Sequence, residues 1–407
     1  MANIQSIQRS MELSALAAHY FDYKADYLQK LHAEKPLHTI DMMLNYFQIT
    51  LKEWNDWHWQ LKNRITTSEQ LGQLFSLDSD KKQEIDMVGQ TYRWAVTPYY
   101  LSQIRKFDIT DPVYLQCIPQ SMELISGGLS DPMNEENCSP AGAITRRYPD
   151  RVILNVTNCC ASFCRHCQRR RNIASKDNCI SLNCMNESLN YIKQHPEIRD
   201  VLITGGDPLT MEDDFLDILI GKIRSIKSVE IIRIGTRVLV TLPQRITQNL
   251  VTILSKYSPI YINTQFNHPY EVTNTSAKAC ELLADHGILL GNQMVFLKNI
   301  NNSPNTVQIL NQLLLMHKVK PYYIFHPKDI IGTKHFSISI KEGLEIYDKL
   351  RGNTSGLAIP TYVYNSPNGM GKIPLNSQML KMQDSNHDVT VSTWEGKEIR
   401  ININKPL

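Results

Sequence analysis

Arg151-Val-Ile-Leu-Asn-Val-Thr157-Asn-Cys159-Cys160-Ala-Ser-Phe-Cys164-Arg-His-Cys167 is the stretch on which the fold turns. Its first half is a short apolar run that reads as a buried strand, and its second half packs four cysteines into nine residues. Toward the C-terminus the same kind of unit recurs: an apolar run ends in a polar or Gly-containing turn and an amphipathic stretch follows. Strands are expected at Val152–Val156, Val201–Thr204, Glu230–Ile234, Ile260–Gln265, Ile288–Val295, Tyr322–Phe325 and Thr361–Tyr364. Helical stretches such as Asp213–Ile226, Thr273–His286, Thr306–His317 and Lys341–Arg351 separate most of them. Regular alternation implies an α/β fold with a parallel sheet, either doubly wound or a partial (β/α)-barrel. The placing of the unusual residues favours the barrel. The cysteine loop, Gly205-Gly206-Asp207-Pro208, His268, Gln293, Lys328 and Asn365 all lie at or just after strand C-termini, where a barrel gathers its active site.

Upstream, residues 1–112 carry long amphipathic patterns, Met11 to Leu31 and Ile40 to Ile65, and are expected to form a helical accessory region. Trp54, Trp57 and Trp59 within it read as packing. Residues 113–375 form the expected barrel core, and 376–407 a short C-terminal extension with a strand at Glu398–Ile403. No repeat of fixed period, low-complexity tract or long linker interrupts the 407 residues, which suffice for a large core. With 43 basic and 40 acidic residues, the formal charge of +3 gives no footprint for nucleic acid. The N-terminal Met-Ala-Asn-Ile-Gln-Ser lacks a basic-then-apolar leader, and no apolar run approaches the ~20 residues that span a bilayer, so a cytoplasmic protein without a membrane partner is expected. Nine cysteines, several in one loop, suit a reducing compartment and a metal site better than disulfides.

Cys160, Cys164 and Cys167 have the spacing Cys-x3-Cys-x2-Cys. Three thiolates on one loop can ligate three irons of a [4Fe-4S] cluster and leave the fourth iron open to a ligand. A zinc site is the competing reading. It would need a fourth ligand from Cys159, His166, Cys179 or Cys184, and zinc motifs usually come as two paired knuckles, which this loop lacks. Cys179 and Cys184 read as small packed apolar groups. The spacing resembles the signature of the radical S-adenosylmethionine (SAM) superfamily. There the open iron chelates SAM, and reduction of the cluster yields a 5′-deoxyadenosyl radical. Gly205-Gly206-Asp207-Pro208 resembles that superfamily's segment at the methionine amino group, glycine allowing close backbone approach. Gln293 is a further candidate SAM ligand, and Gln265 stands where many relatives carry histidine.

Arg146-Arg-Tyr-Pro-Asp-Arg151, Cys164-Arg-His-Cys-Gln-Arg-Arg-Arg171, Arg233-Ile-Gly-Thr-Arg237, Pro243-Gln-Arg-Ile-Thr247 and Gly291-Asn-Gln293 narrow the resemblance. With Asn263-Thr264, Phe266-Asn-His-Pro269 and the Trp54 to Ile65 segment, they resemble the lysine 2,3-aminomutase family from about residue 40 to residue 375. The resemblance implies a second cofactor, pyridoxal 5′-phosphate, held by a lysine in a glycine-rich run. The match is Pro367-Asn-Gly-Met-Gly-Lys372, although Lys372 read from its local sequence alone is an exposed loop lysine. Arg147, Tyr148 and Arg151 are the implied ligands of the cofactor's phosphate and ring, since arginine forks match phosphate oxygens. Also implied are migration of an amino acid's α-amino group to C3, an external electron donor, and a homo-oligomer (dimer or tetramer).

The resemblance gives Arg169 the substrate α-carboxylate. Members acting on lysine hold its ε-ammonium with two aspartates, and the matching positions here are Lys328 and Asn365. An ammonium beside Lys328 would meet a like charge, whereas a side-chain carboxylate would gain an ion pair and an amide donor. Charge thus asks for an acidic amino acid, and because the Lys328 and Asn365 pair resembles that of the glutamate branch of the family, the resemblance implies L-glutamate as substrate, giving β-glutamate. Aspartate lies within reach of the same lysine. Lysine, arginine and a lysine on a protein are the alternatives, and Lys328 speaks against the last. Lys328 as a solvated charge beside Asp329 is the bland reading. No cysteine follows Cys280, so no zinc site is expected in the tail.

Overall fold

Alternate residues of each core strand answer to two different surroundings, helices on one face and a cavity on the other. In β4 (Ile231–Gly235) Ile232 and Ile234 are buried under helices while Arg233 and Gly235 look into the cavity. The same alternation recurs in β3 (Asp200–Gly205), β6 (Leu289–Val295), β7 (Val319–Phe325) and β8 (Thr361–Asn365), which send Thr204, Gln293, Tyr323 and Asn365 inward. Together with β1 (Ile144–Tyr148), β2 (Arg151–Thr157), β5 (Ile260–Thr264) and β9 (Lys372–Pro374) they make one nine-stranded sheet in sequence order. Strands β2 to β8 are parallel, and β1 and β9 flank them antiparallel. Among the described residues β1 and β9 do not pair, so the mixed α/β sheet is an open arc, a partial barrel rather than a closed ring.

The chain is described by a computed structural model covering residues 3–33, 36–376 and, beyond them, 380–382, 388–393, 395 and 397–402. The seven expected strands are β2 to β8, and the expected helices join them as crossovers. Asp213–Arg224 shows why they form. Leu216, Leu219, Ile220 and Ile223 make one buried stripe, with Asp213 and Asp214 in the first turn and Lys222 and Arg224 in the last, matching the helix dipole. Gln248–Lys256 is capped by Thr247, whose hydroxyl accepts from the Leu250 amide. The two flanking strands were not expected.

The N-terminal region is helical, but the Ile40 to Ile65 pattern is not one helix. It breaks into Ile40–Phe47, Leu51–Trp54 and Trp57–Lys62. Gln48 adopts a left-handed conformation (φ 53°), and Thr50 and Asp56 each cap the following turn, so local capping outweighs the apolar period. Trp54 and Trp57 are buried, as packing residues should be. This region also carries the cysteine loop: the Phe163 amide donates to the Ala95 carbonyl at 3.0 Å and the Arg165 amide to the Gln116 carbonyl at 2.9 Å.

Beyond the barrel, β10 (Leu380–Met382), β11 (Asp388–Ser392) and β12 (Glu398–Asn402) form a small antiparallel sheet. The expected terminal strand is thus present; its last expected residue, Ile403, lies outside the described residues. Among the described residues no helix is long and apolar enough to cross a membrane.

Candidate active site

The arc encloses a cavity of about 590 Å³. Cys160, Cys164 and Cys167 line it, as do Gly205, Gly206, Asp207, Gln293, Arg147, Tyr148, Arg151, Arg169, Lys328, Asn365 and Lys372. Of the residues singled out by sequence, Pro208 is buried outside this lining, at the start of the turn Pro208–Thr210. His268 also leaves the site: its ring packs on Tyr27 and Tyr270, and burial lowers its pKa to about 3.

The cysteine side of the cavity is tightly bonded. Arg237 donates from Nη1 to Cys164 Sγ at 2.8 Å, from Nε to the Gln265 carbonyl at 3.2 Å, and from Nη2 to Gln116 Oε1 at 2.6 Å and Glu271 Oε1 at 2.8 Å. The Arg169 amide donates to Cys167 Sγ at 3.3 Å. Burial, with Asp207 and the neighbouring thiols, pushes Cys160 well above the usual thiol range; burial and Cys164 push Cys167 up. Cys160 and Cys167, whose ionisation is opposed by burial and by neighbouring thiols, suit a cationic metal group, which would supply the missing positive charge. Among the described residues no three His, Cys, Asp or Glu side chains converge as around a single ion. An iron–sulfur cube, which gives each cysteine its own iron, is compatible with that spacing.

The two glycines have a local cause. Gly205 sits at φ 122°, and a Cβ on Gly206 would strike the Cys159 carbonyl oxygen. The backbone they admit is that of the end of β2, at Gly205, and of the cysteine loop, at Gly206. Asp207 is spent on structure, accepting from Thr236 Oγ1 at 2.6 Å and the Arg237 amide at 2.7 Å. His166, kept neutral by burial and nearby Arg237 and Arg170, receives the Gln265 amide at 3.2 Å on Nε2, and its buried Nδ1 has no partner among the described residues.

The other side of the cavity is cationic. Lys372 opens β9 directly across the ladder from Asn365. Gly371 before it has φ 105°, a conformation that calls for glycine, and the Lys372 amide donates to Tyr148 Oη at 3.0 Å. The amine is reached by solvent along the cavity and lies 5.6 Å from the Tyr148 ring and 5.7 Å from that of Tyr323. Desolvation and the guanidiniums of Arg233, Arg147 and Arg151 lower its pKa to about 8. The Arg151 guanidinium lies over the Tyr148 ring at 4.0 Å. Lys328 points into the cavity, donating to Gln168 Oε1, and desolvation with Arg147 and Arg169 lowers its pKa to about 7. The Asn365 amide nitrogen is buried with no hydrogen-bond partner among the described residues. A cluster of cations and an unspent donor suits anions such as phosphate and carboxylates.

Sequence reasoning missed Arg233, Arg237 and Glu135. The two arginines lay in a recognised motif; the inward direction of Arg233 follows from strand alternation, whereas Arg237 lies past the strand end at the start of the next helix. Glu135, which binds Arg169, lies in an acidic loop without any periodic signal.

A family model described as Lysine-2,3-aminomutase matches residues 347–400. Over 398 residues the chain is 48% identical to the glutamate 2,3-aminomutase of Clostridioides difficile (strain 630), covering 97% of this chain and 94% of that one. It is 42% identical over 346 residues to the L-lysine 2,3-aminomutase of Clostridium subterminale, covering 84% and 83%. It is 45% identical over 352 residues to the L-lysine 2,3-aminomutase of Methanococcus maripaludis, covering 85% and 81%.

Proposed function

Because the chain belongs to the lysine 2,3-aminomutase family of radical SAM isomerases, we propose that it moves the α-amino group of L-glutamate to C3, giving β-glutamate. The observation that carries the substrate is that Lys328, a desolvated cation, and Asn365, a buried amide donor without a partner among the described residues, line the same cavity. An incoming carboxylate relieves both: it pairs with the ammonium, raising its pKa back, and accepts from the amide. A lysine ammonium would relieve neither and would add a positive charge to Arg147, Arg169, Lys328 and Lys372. Lys328 is flexible enough to reach aspartate as well; the 48% identity to an enzyme named for glutamate supports the longer substrate.

Cys160, Cys164 and Cys167 are the proposed ligands of a [4Fe-4S] cluster, with Gly205, Gly206, Asp207, Pro208 and Gln293 as the surroundings of SAM. For Asp207 and Pro208 the role is indirect, holding the turn. Lys372 is the proposed pyridoxal phosphate lysine, with Arg147, Tyr148 and Arg151 about its phosphate and ring. When bound, these cofactors supply a hydrogen-abstracting radical and delocalisation of the unpaired electron. The chain's own residues do the positioning. Arg169 takes the α-carboxylate, Lys328 and Asn365 take the side-chain carboxylate, and C3 is thereby held between the two anchors. The lowered pKa of Lys372 leaves a usable fraction of neutral amine near neutral pH for attack on an aldehyde. The unit proposed to hold both cofactor sites is 113–375, with 1–112 as its support and 376–407 as an appendage. An external reductant, a homo-oligomer and a cytoplasmic location complete the proposal.

The test is to supply anaerobically reconstituted enzyme with SAM, a reductant and single amino acids, and to follow β-amino acid formation by mass spectrometry. Glutamate should turn over and lysine should not. Turnover of lysine with none of either acidic amino acid would defeat the substrate reading and leave the family chemistry standing.

A further inference from the structure

Glu135 belongs to none of the motifs and is only 6% exposed. It lies in the loop before β1, next to the short turn Glu136–Cys138. Its Oε2 accepts from Arg169 Nε at 3.1 Å and its Oε1 from Arg169 Nη2 at 3.1 Å. Arg171 Nη2 lies 3.5 Å from Oε2, and Arg147 Nη2 3.8 Å from Oε1. Arg171 is itself tied to Asp131 at 3.2 Å and Glu136 at 3.1 Å. One buried carboxylate thus serves the arginine proposed for the substrate, the arginine proposed for the cofactor phosphate, and a third that is anchored on the loop.

A guanidinium offers two bidentate edges, a side edge through Nε and Nη2 and an end edge through Nη1 and Nη2. Glu135 holds Arg169 by the side edge. We propose that Glu135 is a positioning residue that grips Arg169 from the side so that its end edge is presented to the substrate's α-carboxylate, and that keeps Arg147 in register with it. The proposal rests on Arg169 being the carboxylate ligand, and it applies to any α-amino acid substrate. Burial works against the Glu135 ion, but Arg169 and Arg147 outweigh it and hold the carboxyl below its usual range, so the grip persists at neutral pH. The opposite role, a carboxylate that occupies the substrate's place and must be displaced, would use the end edge.

The two roles predict opposite signs. In pyridoxal-loaded, cluster-reconstituted enzyme, Glu135→Gln should raise KM for the amino acid turned over by about tenfold or more, with a smaller change in kcat, because a loosened Arg169 misplaces its fork. Glu135→Asp, which keeps the charge on a shorter stem, should fall between. Pyridoxal absorbance and melting temperature report whether either change is merely structural. If Glu135→Gln fails to fold, the same KM-against-kcat split is read from Glu135→Asp. A KM unchanged or lowered in the folded variant overturns the proposal. Arg169→Gln separates the premise from the inference. If it leaves KM unaltered, the ligand reading of Arg169 fails and takes the proposal with it; if it raises KM while Glu135→Gln does not, only the positioning role falls. In the Arg169→Gln background, Glu135→Gln should add no further rise in KM for the amino acid, any remaining effect running through Arg147 and the cofactor.

Discussion

Arg237 meets the cavity with all three of its guanidinium nitrogens already engaged, whereas Lys328 and Asn365 meet it with their polar ends largely unspent. On the cysteine side, these arginines each have a carboxylate partner before any ligand arrives. Arg237 pairs with Glu271, and Arg165 and Arg170 each approach Glu123 within 2.6 Å. On the lysine side, positive charges outnumber their partners and, with desolvation, lower the pKa of Lys328 and Lys372. The difference teaches that one half is a rigid mount and the other a receptor whose stability is completed by what it binds.

The contrast can be broken in order of expected effect. Lys372→Ala should lower turnover by ~10³-fold or more and abolish the lysine-bound pyridoxal absorption, measured by product formation and by spectroscopy. Arg237→Gln should destabilise the fold by about 3–5 kcal/mol, because Glu271 is left buried without its cationic partner; denaturant unfolding of the free protein measures this without any cofactor. Lys328→Gln should cut kcat/KM for glutamate by about 100-fold. It should nevertheless leave stability within about 1 kcal/mol, since it removes a desolvated cation rather than half of a satisfied pair. A large loss of stability in Lys328→Gln would erase the distinction between mount and receptor.

The smallest effect is on pH. Lys328 binds an anion as the ammonium, and its pKa without ligand is about 7, so below that value it is charged and attraction is complete. As pH rises through about 7, binding must first protonate the amine, and KM for glutamate should climb by up to about tenfold per pH unit. Lys372 runs the other way: its neutral form attacks the aldehyde, so cofactor loading should quicken as pH rises toward about 8 and then level off. Lys328→Gln should flatten the first slope and leave the second.

The seven parallel strands were legible because each apolar run is bounded by turn residues and followed by an amphipathic helix. Strand β9 was not. It has three residues, too few to show a period, yet it sets Lys372 opposite Asn365. Within Cys164–Arg171 the residue types alone could not say which arginine turns inward, and only the family resemblance singled out Arg169. Arg165 and Arg170 go to Glu123, Arg169 faces the cavity and Arg171 reaches Glu136. Those directions follow from loop geometry, and charge alone is the same at all four. The glycines at 205 and 206 were visible, but the sequence did not show that they also admit the backbone of β2 and of the neighbouring cysteine loop. Likewise Arg245, part of a motif, lies under the site, donating to the carbonyls of Leu209 and Met211.

The amides of Phe163 and Arg165 hang the cysteine loop from Ala95 and Gln116 in the preceding helical region. A fragment trimmed at the sequence boundary near residue 112 would keep all three thiols yet lose one of the two pegs and most of the scaffold behind the other. Cap and barrel therefore have to be inherited together: exchanging the cap between relatives would retune the metal loop, and recombination that respects the apparent module border would be the one most damaging to it.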